Sequence, residues 1–285
     1  MTSVGEAGAS AGEPLTAADL GELHRTLLGM LHDVARVCEE LGIRFFLAEG
    51  TLIGAVRHGG FVPWDDDLDL YMPRADYERF LRLAPDRLGA RYRVQHPSTV
   101  ADYWSAFTKV RLVDGPQRFR QQHIAHLTDD NGPLIDIFPL EYVPRPDGPG
   151  LMLQSAWLRF LRGCLVQKLD VEPASRPLKR VLRAASRLTS LRFLHRQLER
   201  TLRRHGDGPR PFVAALATFH PLRSQVVPAE VFARQEWVDF EGSPMPVPVG
   251  YDVLLTTIYG DYRTPPPPAE RGRRHQFVVV GDNPD

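Results

Sequence analysis

The chain reads as an α+β protein whose mixed sheet is flanked by helices and carries a helical insertion. Three observations predict this class. Short apolar runs of strand length recur between positions 43 and 140, a leucine series at helical spacing precedes them, and a leucine-rich basic block over 151–205 interrupts the pattern before a hairpin signal returns. At 285 residues the chain can bury a substantial core, as one large domain or as a domain with a helical insertion. The expected segments are a disordered tail over 1–15, a core over 16–150, a helical and locally basic insertion over 151–220, and a C-terminal hairpin, helix and proline-rich tail over 221–285 that completes the core.

The elements follow in order. Residues 1–14 are small, polar and glycine-rich, which predicts disorder. They lack a basic region followed by an apolar run, and no long apolar span occurs later, so the expectation is a cytoplasmic protein. Thr16 and Asp19 form a capping-box-like start, Leu20, Leu23, Leu27, Leu31 and Val34 keep helical spacing, and Gly42 ends that helix, in which Cys38 packs. Residues 43–48 read as a strand, Gly50-Thr51 as a turn and 52–57 as the start of a second helix. An acidic strand follows, then a helix opened by Pro73 and ended near Pro85. Strands are expected over 91–95, 107–113 and 133–140. In the insertion, Leu178, Val181, Leu182, Ala185 and Leu188 make one apolar helix stripe with Lys179, Arg180, Arg183 and Arg187 on other faces. Beyond it come a hairpin over 236–247 turning at Gly242-Ser243, a helix over 250–259 and a polyproline stretch over 265–268.

The candidate chemistry lies in the acidic run. Crowded carboxylates repel and pay desolvation, so Asp65, Asp66, Asp67 and Asp69 need a compensating cation. Alternation along a strand puts Asp67 and Asp69 on one face and Leu68 and Leu70 on the other, two hard oxygen ligands suited to Mg²⁺ or Mn²⁺ with donor phosphates as further ligands. By the same alternation Asp66 faces away, as a turn or capping residue; Asp65 shares the ligands' parity but follows Pro63-Trp64, ahead of the strand, and is expected to stand behind them. Asp136, alone in an apolar strand, is expensive without a partner, and the same metal is the partner expected. Gly50 allows close approach of a phosphate, the Thr51 hydroxyl can donate to it, and Arg57 and His58 precede a Gly59-Gly60 hinge that can swing either onto a diphosphate. Lys109 and Arg111 share a strand face and are expected to neutralise donor phosphates. Tyr259, Asp261, Tyr262 and His275 are candidates to shape the pocket.

Composition excludes other classes. Equal totals of 35 acidic and 35 basic side chains argue against broad attraction to nucleic acid. Two distant cysteines give neither a disulfide framework nor a zinc site, and no His-x-His or His-x-x-x-His pairing suggests a metallohydrolase. The basic insertion is a candidate surface for an anionic membrane or a lipid-linked acceptor.

The stretch from Gly50 to Leu70, the run from Leu134 to Leu140 and Ile258-Tyr259-Gly260-Asp261-Tyr262 together resemble the LicD family, which includes bacterial phosphocholine transferases and is similar in its core to the fukutin-related transferases. The likeness runs in order from about Leu41 to His275, departing from the general Gly-Gly or Gly-Ser pattern at Glu49. It implies a nucleotidyltransferase-like fold, a catalytic Mg²⁺ (or Mn²⁺) held by Asp67, Asp69 and Asp136, and a CDP-activated alcohol as donor. The reaction expected is transfer of a phospho-alcohol such as phosphocholine to a sugar hydroxyl of a cell-surface glycan, glycolipid or glycosylated metabolite, with Asp136 or His58 as general base. Two other readings compete: a nucleotidyltransferase acting on a nucleoside triphosphate, and a non-catalytic scaffold of the same fold.

Overall fold

The computed structural model of the protein describes residues 13–114, 118–146, 148–206, 208–218, 220–271 and 275–280. Most of the expected N-terminal tail, residues 1–12, lies outside the described residues. Helix α1 (Ala17–Leu41) opens with a full capping box, in which Thr16 and Asp19 satisfy each other's backbone N–H, and buries Leu23, Leu27, Leu31 and Val34 completely. Strand β1 (Phe46–Leu47) leads into α2 (Glu49–His58), β2 (Asp69–Pro73) and α3 (Arg74–Leu88). Helix α2 starts earlier than expected, so Gly50 and Thr51 sit in its first turn, and the acidic residues 65–67 precede the strand. Pro85 does not end α3; its φ is compatible with helix, and the last turn continues to Leu88.

Strands β3 (Tyr92–Gln95), β4 (Thr108–Leu112), β5 (Phe119–Arg120) and β6 (Leu134–Val143) follow. The central sheet runs β1-β2-β6-β4-β3. Only β2 and β6 pair in parallel, and the remaining ladders are antiparallel, which makes the sheet mixed. Strand β6 is buried without interruption from Leu134 to Glu141, as a central strand covered on both faces requires. Helices α1 and α3 pack against each other and against β6.

A helical unit interrupts the sheet: α4 (Pro149–Lys168), α5 (Pro177–Arg187) and α6 (Leu191–Leu202), with α4 packed on the other two. Arg74 docks it by pairing with the buried Glu141 and, at 3.2 Å, with Glu199 of α6, while Arg203 meets Glu78 at 2.8 Å. The expected stripe on α5 is split. Leu182 and Ala185 pack inward, but Leu178, Val181 and Leu188 are exposed, joined on the surface by Met152, Leu153 and Trp157 of α4. Among the described residues no helix is long and apolar enough to cross a membrane.

The chain then extends the sheet from the far half of β6 with β7 (Phe212–Ala214) and β8 (Val226–Pro228). The hairpin β9 (Gln235–Phe240) and β10 (Ser243–Pro248) turns at Glu241-Gly242, helix α7 (Tyr251–Tyr259) follows, and β11 (Val278–Val279) pairs with β5.

Candidate active site

Strand register builds the centre of the site. Asp69 of β2 lies opposite Asp136 of β6, and Lys109 of β4 lies opposite Asp136 on its other side. Paired residues share a sheet face, so the three side chains form a row across three strands. This row opens into a cavity of about 1090 Å³, which Asp65, Asp66 and Asp67 also line. Lys109 Nζ donates to Asp136 Oδ1 at 2.6 Å, with both side chains nearly inaccessible, and sits 4.8 Å from the Phe107 ring and 5.3 Å from that of Trp104.

The residues around the row are fixed from remote parts of the chain. Gln276 Nε2 donates to Asp67 Oδ2 at 2.7 Å, and the Phe277 N–H donates to Asp66 Oδ2 at 2.8 Å. Asp66 therefore faces the site, contrary to the alternation expected for it, because residues 65–68 are not in a ladder and strand parity does not apply. A Cβ at Gly50 would lie 2.7 Å from Asp65 Oδ2, so glycine there admits a carboxylate against the α2 backbone. The Thr51 hydroxyl accepts the Asp69 N–H at 2.9 Å and thereby sets the entry to β2; it lies behind the cavity wall, away from the place a donor phosphate would occupy.

Glu49 is the other organising carboxylate. It adopts φ +46°, a conformation costly for a residue with a Cβ. It accepts hydrogen bonds from Tyr71 Oη at 2.5 Å and Tyr259 Oη at 2.7 Å, and His220 Nε2 lies 2.8 Å from it. Burial pushes its pKa up, but these partners outweigh burial and hold the carboxyl below its ordinary value, while the bond to Glu49 raises the His220 imidazole. The carboxylates of the acidic run behave oppositely. Burial and then neighbouring carboxylates push Asp67 up to about 7 and Asp65 up to about 6, and raise Asp69 well above the usual range. Burial raises Asp136 too, against the pull of Lys109.

The structure brings Asp67, Asp69, Asp136, Gly50, Arg57 and Lys109 to the cavity, together with Tyr259, Asp261, Tyr262 and His275. It does not bring His58 or Arg111 there. The His58 ring is exposed outside the lining and accepts from Arg57 Nε at 3.0 Å, while Arg57 Nη1 is spent on the Tyr262 carbonyl at 2.6 Å. The Arg111 guanidinium is wholly buried, donating to Gln95 Oε1, the Gly132 carbonyl and Gln121 Oε1 at 2.6 to 3.0 Å, and burial lowers its pKa to about 10. It holds β4 to neighbouring loops. His220, Gln276 and Trp104 were not singled out from sequence, and no motif signals them.

The donor set fits a divalent cation in ligand type and charge: Asp67, Asp69 and Asp136 are hard oxygen ligands whose pKa values burial raises, and at Asp67 and Asp69 neighbouring carboxylates raise them further. Among the described residues, however, no three acidic, histidine or cysteine side chains close on one point. That arrangement suits an ion that takes one or two protein carboxylates and completes its shell with phosphate oxygens and water, as Mg²⁺ commonly does.

Comparison with known proteins agrees with this geometry. Residues 42–179 match the family profile described as LicD/FKTN/FKRP, nucleotidyltransferase domain. Over 268 residues the chain is 27% identical to the lipopolysaccharide cholinephosphotransferase LicD of Haemophilus influenzae, covering 90% of this chain and 96% of that protein. It is 31% identical over 125 residues to the ribitol 5-phosphate transferase FKRP of Mus musculus and to that of Homo sapiens, an overlap of 44% of this chain and 21% of each relative.

Proposed function

Since residues 42–179 match the LicD/FKTN/FKRP nucleotidyltransferase-domain profile, we propose that the protein transfers a phospho-alcohol group from a CDP-activated donor to a sugar hydroxyl, with Mg²⁺ as cofactor. The likeness to a lipopolysaccharide cholinephosphotransferase and to ribitol 5-phosphate transferases supports transfer from a phospho-alcohol donor. The observation that carries it is the Asp69–Asp136–Lys109 row, a register-locked set of two carboxylates and one ammonium at the head of a cavity large enough for a nucleotide.

Phosphoryl transfer asks an enzyme for positioning and charge neutralisation. Asp67 and Asp69 would hold the cation, which when bound supplies Lewis-acid neutralisation of donor phosphate charge, and Asp136 stands beside them with its Oδ1 taken by Lys109. Lys109 adds a fixed positive charge beside them, and its bond to Asp136 Oδ1 orients that carboxylate. Trp64, Trp104 and Phe107 supply flat apolar surface for a base or an alkyl headgroup. The acceptor oxygen attacks the distal phosphorus, the bond to the bridging oxygen breaks, and the nucleoside monophosphate leaves with that electron pair. Asp136 Oδ2 is assigned the hydroxyl proton; His58, outside the lining, is set aside for this role.

The test is calorimetric titration with CDP-choline, CDP-ribitol, CDP-glycerol, CTP and ATP, each with and without Mg²⁺, followed by product analysis. Metal-dependent binding of a CDP-alcohol and release of CMP support the proposal. Binding of a triphosphate alone with release of pyrophosphate replaces it with nucleotidyl transfer. A lipid-linked acceptor would bring the protein to a membrane, and the outward Leu178, Val181 and Leu188, flanked by Arg180 and Arg187, are the surface proposed to meet anionic lipid there.

A further inference from the structure

A second cavity, of about 320 Å³, lies between the helical unit and the segment after β7. Thr218 and His220 line both cavities, so the second adjoins the first across these two residues. Its apolar surface comes from Leu158, Val166, Leu182 and Leu216. Its charge is one-sided: Arg159, Arg162 and Lys179 line it against a single acid, Glu172, which Lys179 meets at 2.6 Å. Arg162 donates to the Thr218 carbonyl at 2.7 Å, and burial together with the nearby Arg159 charge lowers its pKa to about 10.

A second observation points to an occupant. Among the described residues Thr218 Oγ1 and Gln167 Oε1 are buried without a hydrogen-bond partner, in residues 4% and 3% exposed, and both residues line this cavity. Buried polar atoms are nearly always satisfied, so these two call for a partner, which a polar ligand seated against them would supply. The cationic wall disfavours a cationic headgroup such as choline and favours an anion.

We propose that this cavity is the acceptor subsite and that it recognises an anionic sugar, holding a phosphate or carboxylate at Arg159 and Arg162 and sugar hydroxyls at Thr218 and Gln167, while the attacking hydroxyl reaches past Thr218 and His220 toward Asp136. The word acceptor rests on the phosphotransfer reading; the binding itself does not.

The experiment is calorimetry on the full chain without divalent cation, using glucose 6-phosphate, glucuronate and neutral glucose. At least one anionic sugar is expected to bind the wild type measurably more tightly than glucose, and the two arms tell phosphate from carboxylate recognition. Arg159→Gln, at an exposed position that leaves the fold intact, is expected to weaken that binding by about tenfold, the cost of one charge-assisted hydrogen bond. Arg162→Gln is expected to do the same. Asp69→Asn is expected to leave it unchanged. The proposal is overturned by equal binding of glucose, by no binding of either anion, by wild-type affinity in both arginine variants, or by loss in Asp69→Asn. Absence of metal-dependent CDP-alcohol binding would instead overturn the phosphotransfer reading, and Arg159→Gln should not alter that binding.

Discussion

The sheet cavity and the helical unit use charge in opposite ways. The first buries its carboxylates and ammonium and places them by backbone pairing, Asp69 and Lys109 each opposite Asp136. The second spreads arginines and large apolar side chains over exposed helix faces, where the backbone constrains them little. On the proposed function, chemistry that tolerates little displacement would sit where strand register fixes position, and selection of a partner where side chains can be exchanged without moving the fold.

The sharpest way to break that comparison is at the joint. Arg74 links sheet and helical unit through the buried Glu141 and the more exposed Glu199, so Glu141→Ala, which leaves the buried guanidinium only the latter, should destabilise by about 3 kcal/mol in denaturant unfolding. A loss under about 1 kcal/mol would mean that the joint carries no strain of charge burial. Next comes the row itself. Asp67→Asn or Asp69→Asn should cut turnover by ~10²-fold or more while leaving the unfolding midpoint unchanged or higher, because each removes a crowded charge. More than about a tenth of wild-type rate would sink the assignment.

A third prediction concerns pH. Asp67 and Asp65 have folded-state pKa values raised to about 7 and about 6, above their unfolded values, so the folded state binds extra protons in that window. Metal-free stability should therefore fall as pH rises from about 4 to about 7 and stay low above it, by several kcal/mol at about 1.4 kcal/mol for each pH unit by which a pKa is raised. Thermal melts at about pH 5.5 and about pH 8 read this, and Mg²⁺ should close the gap at the higher pH. Melts that rise across the window would contradict the crowding of these carboxylates. The smallest effect belongs to the helical face. Replacing Leu178, Val181 and Leu188 together by Ser should shift stability by only about 0.5 kcal/mol, yet reduce flotation with anionic vesicles at low salt. No flotation of the wild type would end the membrane reading.

Much of the core was legible in the sequence because local rules decide it. Thr16 and Asp19 announce α1, and an Asp alone in Leu-Ile-Asp-Ile-Phe has few uses in a buried strand. What stayed hidden depends on partners far along the chain. Glu49 looked like a departure from a glycine pattern, yet it gathers Tyr71, His220 and Tyr259. Strand parity does not place Asp66, which lies outside a ladder, and a shared strand face with Lys109 does not place Arg111, because it does not decide how far along the strand a cavity extends. The exposed half of the α5 stripe shows the same limit: periodicity finds an apolar face without saying what covers it.

One contact also orders events in time. Phe277 and Gln276 fasten Asp66 and Asp67 from more than two hundred positions downstream, so during synthesis the acidic loop emerges long before the segment that pins it. Nascent chains would carry the carboxylates unlatched until β11 reaches β5, a late and slow closure of a large loop. The acidic loop therefore takes its final shape only after residues 276 and 277 are free to fold back on it.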